Sequence, residues 1–286
     1  MPTAPPSSYP SEQPLEYSNP KLPEHINTSR EHPIKEFAIL TGGVLLVCVL
    51  VIAILGLSAD YLTKYIPFHY EQALFGAKAD QFPEPHEYER VLQPLANDIA
   101  AAMDLPDGMH IRVHYADEDQ VNASATLGGH VVIYRGLAER LPHENALAMV
   151  LAHEIAHVKH RHPIRTLGRS VVVVLALMAI VGVQGEDLAA SVIGDAGVLT
   201  LLTFSRAQEI EADRTALEAV SRVYGHVAGA TDLYDVLIEE QEQKGIDAPV
   251  FLSTHPLTSD RVEALRTLQV EHGWDANAAT TPLPRL

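Results

Sequence analysis

Between residues 149 and 162 the chain reads "MVLAHEIAHVKHRH", four histidines and one glutamate among otherwise apolar or basic side chains. Leu147, Val150, Leu151 and Val158 recur at helical spacing, Pro142 suits a first helical position, and Pro163 predicts the stop. On such a helix His153 and His157 stand about 40° apart and about 6 Å along one face, so both imidazoles can converge on one ion. Glu154 adjoins the first of them and is expected to act as a base on a water held at the ion. This is the H-E-x-x-H arrangement of zinc hydrolases. Five residues make a short pattern, and a surface cluster of histidines has the same letters, so support must come from elsewhere in the chain. His160 and His162 do not extend it to the metzincin pattern, which needs Gly at 160 and His at 163.

Catalytic zinc takes three protein ligands and keeps a fourth position open. The third is expected from "FSRAQEIEADRTALEAV" (204–220), where Glu209 and Asp213 are four apart on one helix face and Glu211 projects about 200° away from Glu209. In this reading Glu209 binds the metal and Asp213 accepts a hydrogen bond from the outer nitrogen of a zinc-bound histidine. The alternative is a solvated acidic helix face. His255, in the turn-like "STHP", either donates to an oxyanion or occupies the open zinc position in a resting state. Arg261 and Arg206 either brace that loop against the acidic helix or are surface arginines.

The elements that must position these residues begin near residue 85. "HEYERVLQPLANDIAAAMDLP" (86–106) has helical apolar spacing. "GMHIRVHYA" (108–116) alternates like a half-buried strand, with His110 and His114 expected on its solvent face. "GGHVVIYRG" (128–136) predicts a second strand, and its residues Gly129, His130, Val131 and Val132 are the expected exposed edge with which a substrate strand pairs. "SVVVVLALMAIVGVQG" (170–185) and "LAASVIGDAGVLTLLTFS" (188–205) suggest a buried or membrane-resting hairpin, with two extra crossings as the alternative. Either way the ligands stay on one side.

Residues 1–36 hold eight prolines and few large apolar side chains, the composition of a disordered tail. Residues 37–59 carry no charge over twenty-three positions, enough for a transmembrane anchor. A juxtamembrane linker (60–84), the catalytic domain (85–272) and a C-terminal tail (273–286) complete the expected organisation. Arg30 and Lys35 before the anchor, against Lys64 after it, favour the tail inside and the domain outside. The net charge of −17 argues against nucleic-acid binding, and the single cysteine, Cys48, permits no intrachain disulfide.

Four pieces in order, "NASATLGGHVVIYRGL" (122–137), "HEIAH" (153–157), "SRAQEIEAD" (205–213) and "STHPLTSDR" (253–261), resemble the membrane-associated zinc metallopeptidases, the family of HtpX, BepA and the CAAX prenyl endoproteases. The resemblance covers roughly residues 85 to 272. It implies an α+β, mainly helical gluzincin-type domain with a small β-sheet behind one N-terminal transmembrane helix. It further implies one Zn²⁺ per chain on His153, His157 and Glu209, with Glu154 as catalytic base. A single expected span puts the prenyl endoproteases' farnesylated substrates aside, and the stretch after residue 272 is too short for BepA's helical repeats. The resulting expectation is a single-pass endopeptidase of the cell inner membrane, its domain periplasmic, acting on unfolded or misassembled envelope proteins. The rival readings are a non-catalytic zinc-containing chaperone or scaffold, and a protease facing the cytoplasm.

Overall fold

The computed structural model describes residues 33–76, 86–181, 203–244 and 250–284, together with Ser18. The expected tail up to residue 32 (Ser18 apart) and residues 182–202 of the expected hairpin lie outside them. Two compact units, Met1–Val47 and Cys48–Leu286, divide the chain.

Helix α1 (Pro33–Leu62) contains the whole uncharged run, and with the 3₁₀ turn Thr63–Tyr65 it is long and apolar enough to cross a membrane. Its leucines, valines and isoleucines are exposed along its length. The following stretch, expected as a linker, instead folds into α2 (Phe68–Gly76). It docks because Glu71 is buried and meets the guanidinium of Arg161, whose Nε donates to Glu71 Oε1 at 2.7 Å. Two glycines with left-handed backbone admit close approaches here, of α2 at Gly128 and of the His110 carbonyl at Gly129. A Cβ on Gly128 (φ 77°) would stand 3.0 Å from Gln72 Cα, and one on Gly129 (φ 88°) 2.1 Å from the His110 carbonyl oxygen.

Helix α3 (Glu87–Ala102) buries Leu92, Ala96 and Ile99 along one stripe, as its spacing predicts. Strands β1 (Arg112–Ala116), β2 (Ala123–Ala125) and β3 (His130–Tyr134) then form a sheet ordered β1-β3-β2, with β3 parallel to β1 and antiparallel to β2. This corrects the expected substrate edge. Gly129 lies in the 3₁₀ turn Leu127–Gly129, and His130, Val131 and Val132 belong to the middle strand, whose two sides are occupied by Arg112–His114 and by Ser124 and Ala125. The glycine-bounded apolar run marks a strand buried between neighbours as readily as an edge. His114, expected to face solvent, is buried against His130, with His114 Nε2 and His130 Nδ1 2.7 Å apart. His110 is exposed.

After the short α4 (Arg135–Ala138), helix α5 (Glu144–Lys159) runs through the core, buried at every position from Asn145 to Val158. Its alanines leave room for close neighbours on all sides, which is why no polar face is visible in its sequence. His143 caps its start, its side chain accepting from Ala146 N–H. The helix ends at Lys159, before Pro163, which lies in the first turn of α6 (His162–Val181), where a proline's missing N–H is harmless. Between them Arg161 has φ 57°, a left-handed conformation rare for an arginine.

Helix α7 (Arg206–Tyr224) begins with a capping box between Ser205 and Gln208 and ends at Gly225. It is followed by α8 (Asp232–Lys244), α9 (Val250–Thr254) and α10 (Ser259–His272), the last capped by Thr258 and Gly273. Residues 273–284, expected as a tail, run back over the domain. The Glu144 N–H donates to the Thr281 carbonyl (2.9 Å), and the Thr281 N–H donates to Asn145 Oδ1 (2.7 Å). The architecture is mainly helical around one small sheet.

Candidate metal centre

Helices α5 and α7 lie against each other, and α9 brings the start of the 255–258 loop to their junction. His153, His157, Glu209 and His255 meet there, each buried, with one donor atom apiece all within 4.8 Å of one another. The structure thus brings together the three residues expected as ligands and the histidine expected either as an oxyanion donor or at the open zinc position.

The distances define the chemistry. His153 Nε2 is 3.0 Å from His157 Nε2 and 3.2 Å from His255 Nδ1, and Glu209 Oε1 is 3.1 Å from His255 Nδ1. Glu209 also lies 3.4 Å from His153 Nε2 and 3.6 Å from His157 Nε2. Imidazole nitrogens whose lone pairs face each other at this range need a proton or a cation between them. A tetrahedral ion with bonds of about 2.0–2.1 Å sets its nitrogen ligands roughly 3.3 Å apart, so the donor set fits a metal ion.

Each helical histidine is held from behind. His153 Nδ1 is 2.9 Å from Asp213 Oδ1, which fixes the proton on that nitrogen and leaves Nε2 free to ligate. Asp213 also accepts from Arg261 (Nε to Oδ2 at 2.7 Å, Nη2 to Oδ1 at 2.8 Å) and from the Tyr234 hydroxyl (2.8 Å). Arg261, 1% exposed, further donates to the carbonyls of His255 (3.3 Å) and Pro256 (3.1 Å), so it ties the loop to α7. That is the bracing role weighed for it. Arg206 is exposed, 3.9 Å from Asp260.

On the other side His157 Nδ1 is 2.9 Å from His162 Nδ1, and His162 Nε2 is 3.2 Å from Glu211 Oε2. With the His157 Nε2 lone pair reserved for the ion, the proton order follows: His157 Nδ1–H donates to His162, and His162 Nε2–H donates to Glu211. Phe204 stacks on His157 with ring centroids 4.0 Å apart. Sequence reasoning missed His162 and Glu211, because α5 ends between His157 and His162 and Glu211 projects off the ligand face. It also missed Tyr234, which no local pattern marks.

Charge follows geometry. Burial opposes a proton on His153, but Asp213 and Glu209 outweigh it and raise the imidazole to about 10. Burial, reinforced by His153, pushes His157 well below the usual histidine range. Burial would raise Glu209, yet hydrogen bonds with His153 and His255 hold its carboxyl well below the ordinary range. Asp213, opposed by burial but gripped by Arg261 and His153, is held at about 2. Two ionised carboxylates that force a proton onto a buried imidazole mark a place that attracts a cation.

Glu154 is fully buried, and neither carboxylate oxygen has a hydrogen-bond partner among the described residues. Its Oε1 is 3.6 Å from His255 Nε2. A purely structural metal site has no use for such a carboxylate.

A buried helix with two histidines a turn apart, a carboxylate from a second helix and a buried glutamate beside them belongs to the class of metallopeptidases. Residues 86–269 match peptidase family M48, and the chain belongs to that family. It is 32% identical over 164 residues to the beta-barrel assembly-enhancing protease of Yersinia pestis (54% of this chain, 33% of that protein). With the protein of that name from Escherichia coli K12 it shares 31% over 164 residues (52% and 32%). It is 25% identical over 181 residues to the mitochondrial metalloendopeptidase OMA1 of Saccharomyces cerevisiae (62% and 52%). The chain therefore spans about a third of the length of those bacterial relatives.

Proposed function

We propose that the chain is a membrane-anchored zinc endopeptidase in which His153, His157 and Glu209 hold one Zn²⁺ and Glu154 is the general base. The observation that carries this reading is Glu154 itself, buried beside the donor cluster with neither carboxylate oxygen hydrogen-bonded among the described residues. Zinc, when bound, would polarise a scissile carbonyl and acidify a water molecule. Glu154 would take that water's proton and return it to the leaving nitrogen. Asp213 holds His153 in the ligating tautomer, and Arg261 keeps Asp213 ionised.

His255 acts as a resting-state donor in this reading, since its Nδ1 faces Glu209 and His153 where a fourth ligand belongs. Substrates are unfolded or misassembled envelope proteins. This follows from an anchor that keeps the domain beside a membrane and from relatives named for β-barrel assembly. The charge bias around α1 supports an inner-membrane protein with its domain in the periplasm.

The test compares zinc content and cleavage of an unfolded model protein by the full chain and by Glu154→Gln. About one zinc per chain in both, with cleavage lost only in the variant, is expected. Zinc in both with equal cleavage removes Glu154 from the chemistry, and no zinc in either removes the ligand assignment. Biological function retained in full by Glu154→Gln would favour a zinc-containing chaperone instead.

A further inference from the structure

The turn between α5 and α6 is only two residues long, His160 and Arg161, yet it separates the ligand His157 from the histidine that holds it, His162. That turn is not held by its own backbone alone. Arg161 sits at φ 57°, where a non-glycine residue is strained and persists only when its surroundings over-determine it. Its backbone makes the expected local bonds, N–H to Val158 O at 2.9 Å and carbonyl from Arg165 N–H at 3.2 Å. Its side chain reaches back about ninety positions to the segment that follows the membrane helix. There Nε donates to Glu71 Oε1 at 2.7 Å, Nη2 pairs with the same oxygen, and Nη1 donates to the carbonyls of Thr63 (3.3 Å) and Ile66. The guanidinium also lies over the Phe68 ring, 5.9 Å from its centroid. Thr63 and Glu71 are 4% and 2% exposed, so the contact is an interior one, where removing one member leaves the others buried and uncompensated.

We propose that Arg161 is a positioning residue that bolts the end of the membrane helix to the α5–α6 turn, so that the juxtamembrane segment sets the orientation of His162 and, through it, of the ligand His157. This rests on the metal-centre reading above. The segment from Thr63 to Glu71 is then a structural part of the metal centre in addition to a connector.

The discriminating variant is Arg161→Gly in the full-length chain in detergent. Glycine suits φ 57° better than arginine does, so a residue needed only for the turn's backbone would be replaced with no loss. If its side chain is the working part, Arg161→Gly lowers zinc affinity, measured by chelator competition, about tenfold, in line with the loss of groups behind a metal ligand. Glu71→Gln should lower it in the same direction, and the double variant should be no worse than Arg161→Gly alone. Amide exchange of residues 157–165 in the zinc-free chain is the second readout, and protection there should fall in both variants. Arg222→Gln, which removes an exposed arginine–Asp104 contact, is the control and should change neither. Wild-type zinc affinity and exchange protection in Arg161→Gly would overturn the proposal, as would effects of the two variants that simply add. Were the wild-type chain to bind zinc without cleaving, the hydrolase reading would fail while the affinity test still decides this one. Were it to bind no zinc, the metal-centre reading would fail and the exchange test would still decide the clamp.

Discussion

The two histidines of α5 are supported in opposite ways. His153 leans on ions: Asp213, buried and held at about 2, is clasped by a buried arginine and a tyrosine hydroxyl. His157 leans on a neutral imidazole, His162, and through it on Glu211, whose carboxylate is half exposed, with an aromatic ring stacked on His157. One side is buried and charge-locked, whereas the other ends on a half-exposed carboxylate. Two candidate ligands a single turn apart can therefore differ in what disturbs them.

The sharpest break would come where the two sides meet. Glu154→Gln should reduce cleavage by about 10²–10⁴-fold while metal content holds, because the proposed base belongs to neither support. Asp213→Asn should lower metal affinity about 10–100-fold. It should also lower stability by about 3 kcal/mol, read as a fall in Tm, because Arg261 loses its buried bidentate partner. His162→Ala should cost about tenfold in metal affinity with a smaller change in Tm, and Glu211→Gln only about twofold, since a half-exposed carboxylate is partly replaced by water. Equal losses from Asp213→Asn and Glu211→Gln would erase the distinction between the sides.

A pH series on the metal-free chain sharpens the same comparison. His153, raised to about 10 by its carboxylates, binds a proton in the folded state that the unfolded chain releases from about 6.5 upward, so its contribution to stability is lost as pH rises toward 10. His162, lowered to about 4 by burial, stays neutral while the unfolded chain protonates, so its contribution is lost as pH falls from about 6.5 to 4. The Tm of Asp213→Asn should therefore lose part of the alkaline limb, and that of His162→Ala part of the acid limb. His255→Ala should raise basal cleavage several-fold if the imidazole occupies the resting site, and unchanged or lower activity would refute that role.

The ionic side was legible in the sequence and the relay was not. His153, His157, Glu209 and Asp213 all follow from the four-residue period of two helices, and each helix carries its own start signal. His162 and Glu211 depend on a turn whose left-handed residue no local rule assigns to arginine. The partners that hold the turn, Glu71 and two carbonyls near residue 65, sit in a stretch whose composition suggests only a connector. The sheet was read correctly as small but its middle strand was taken for an edge, because strand order depends on which segments pair and local alternation does not reveal that.

The first turn of α5 is completed from far along the chain, since Thr281 accepts from Glu144 and donates to Asn145, 136 positions upstream. A ribosome that has just finished the H-E-x-x-H motif has therefore not yet supplied the groups that finish that helix, nor Glu209 or Arg261. The order of synthesis itself keeps the metal-centre cluster from assembling until the chain is nearly complete.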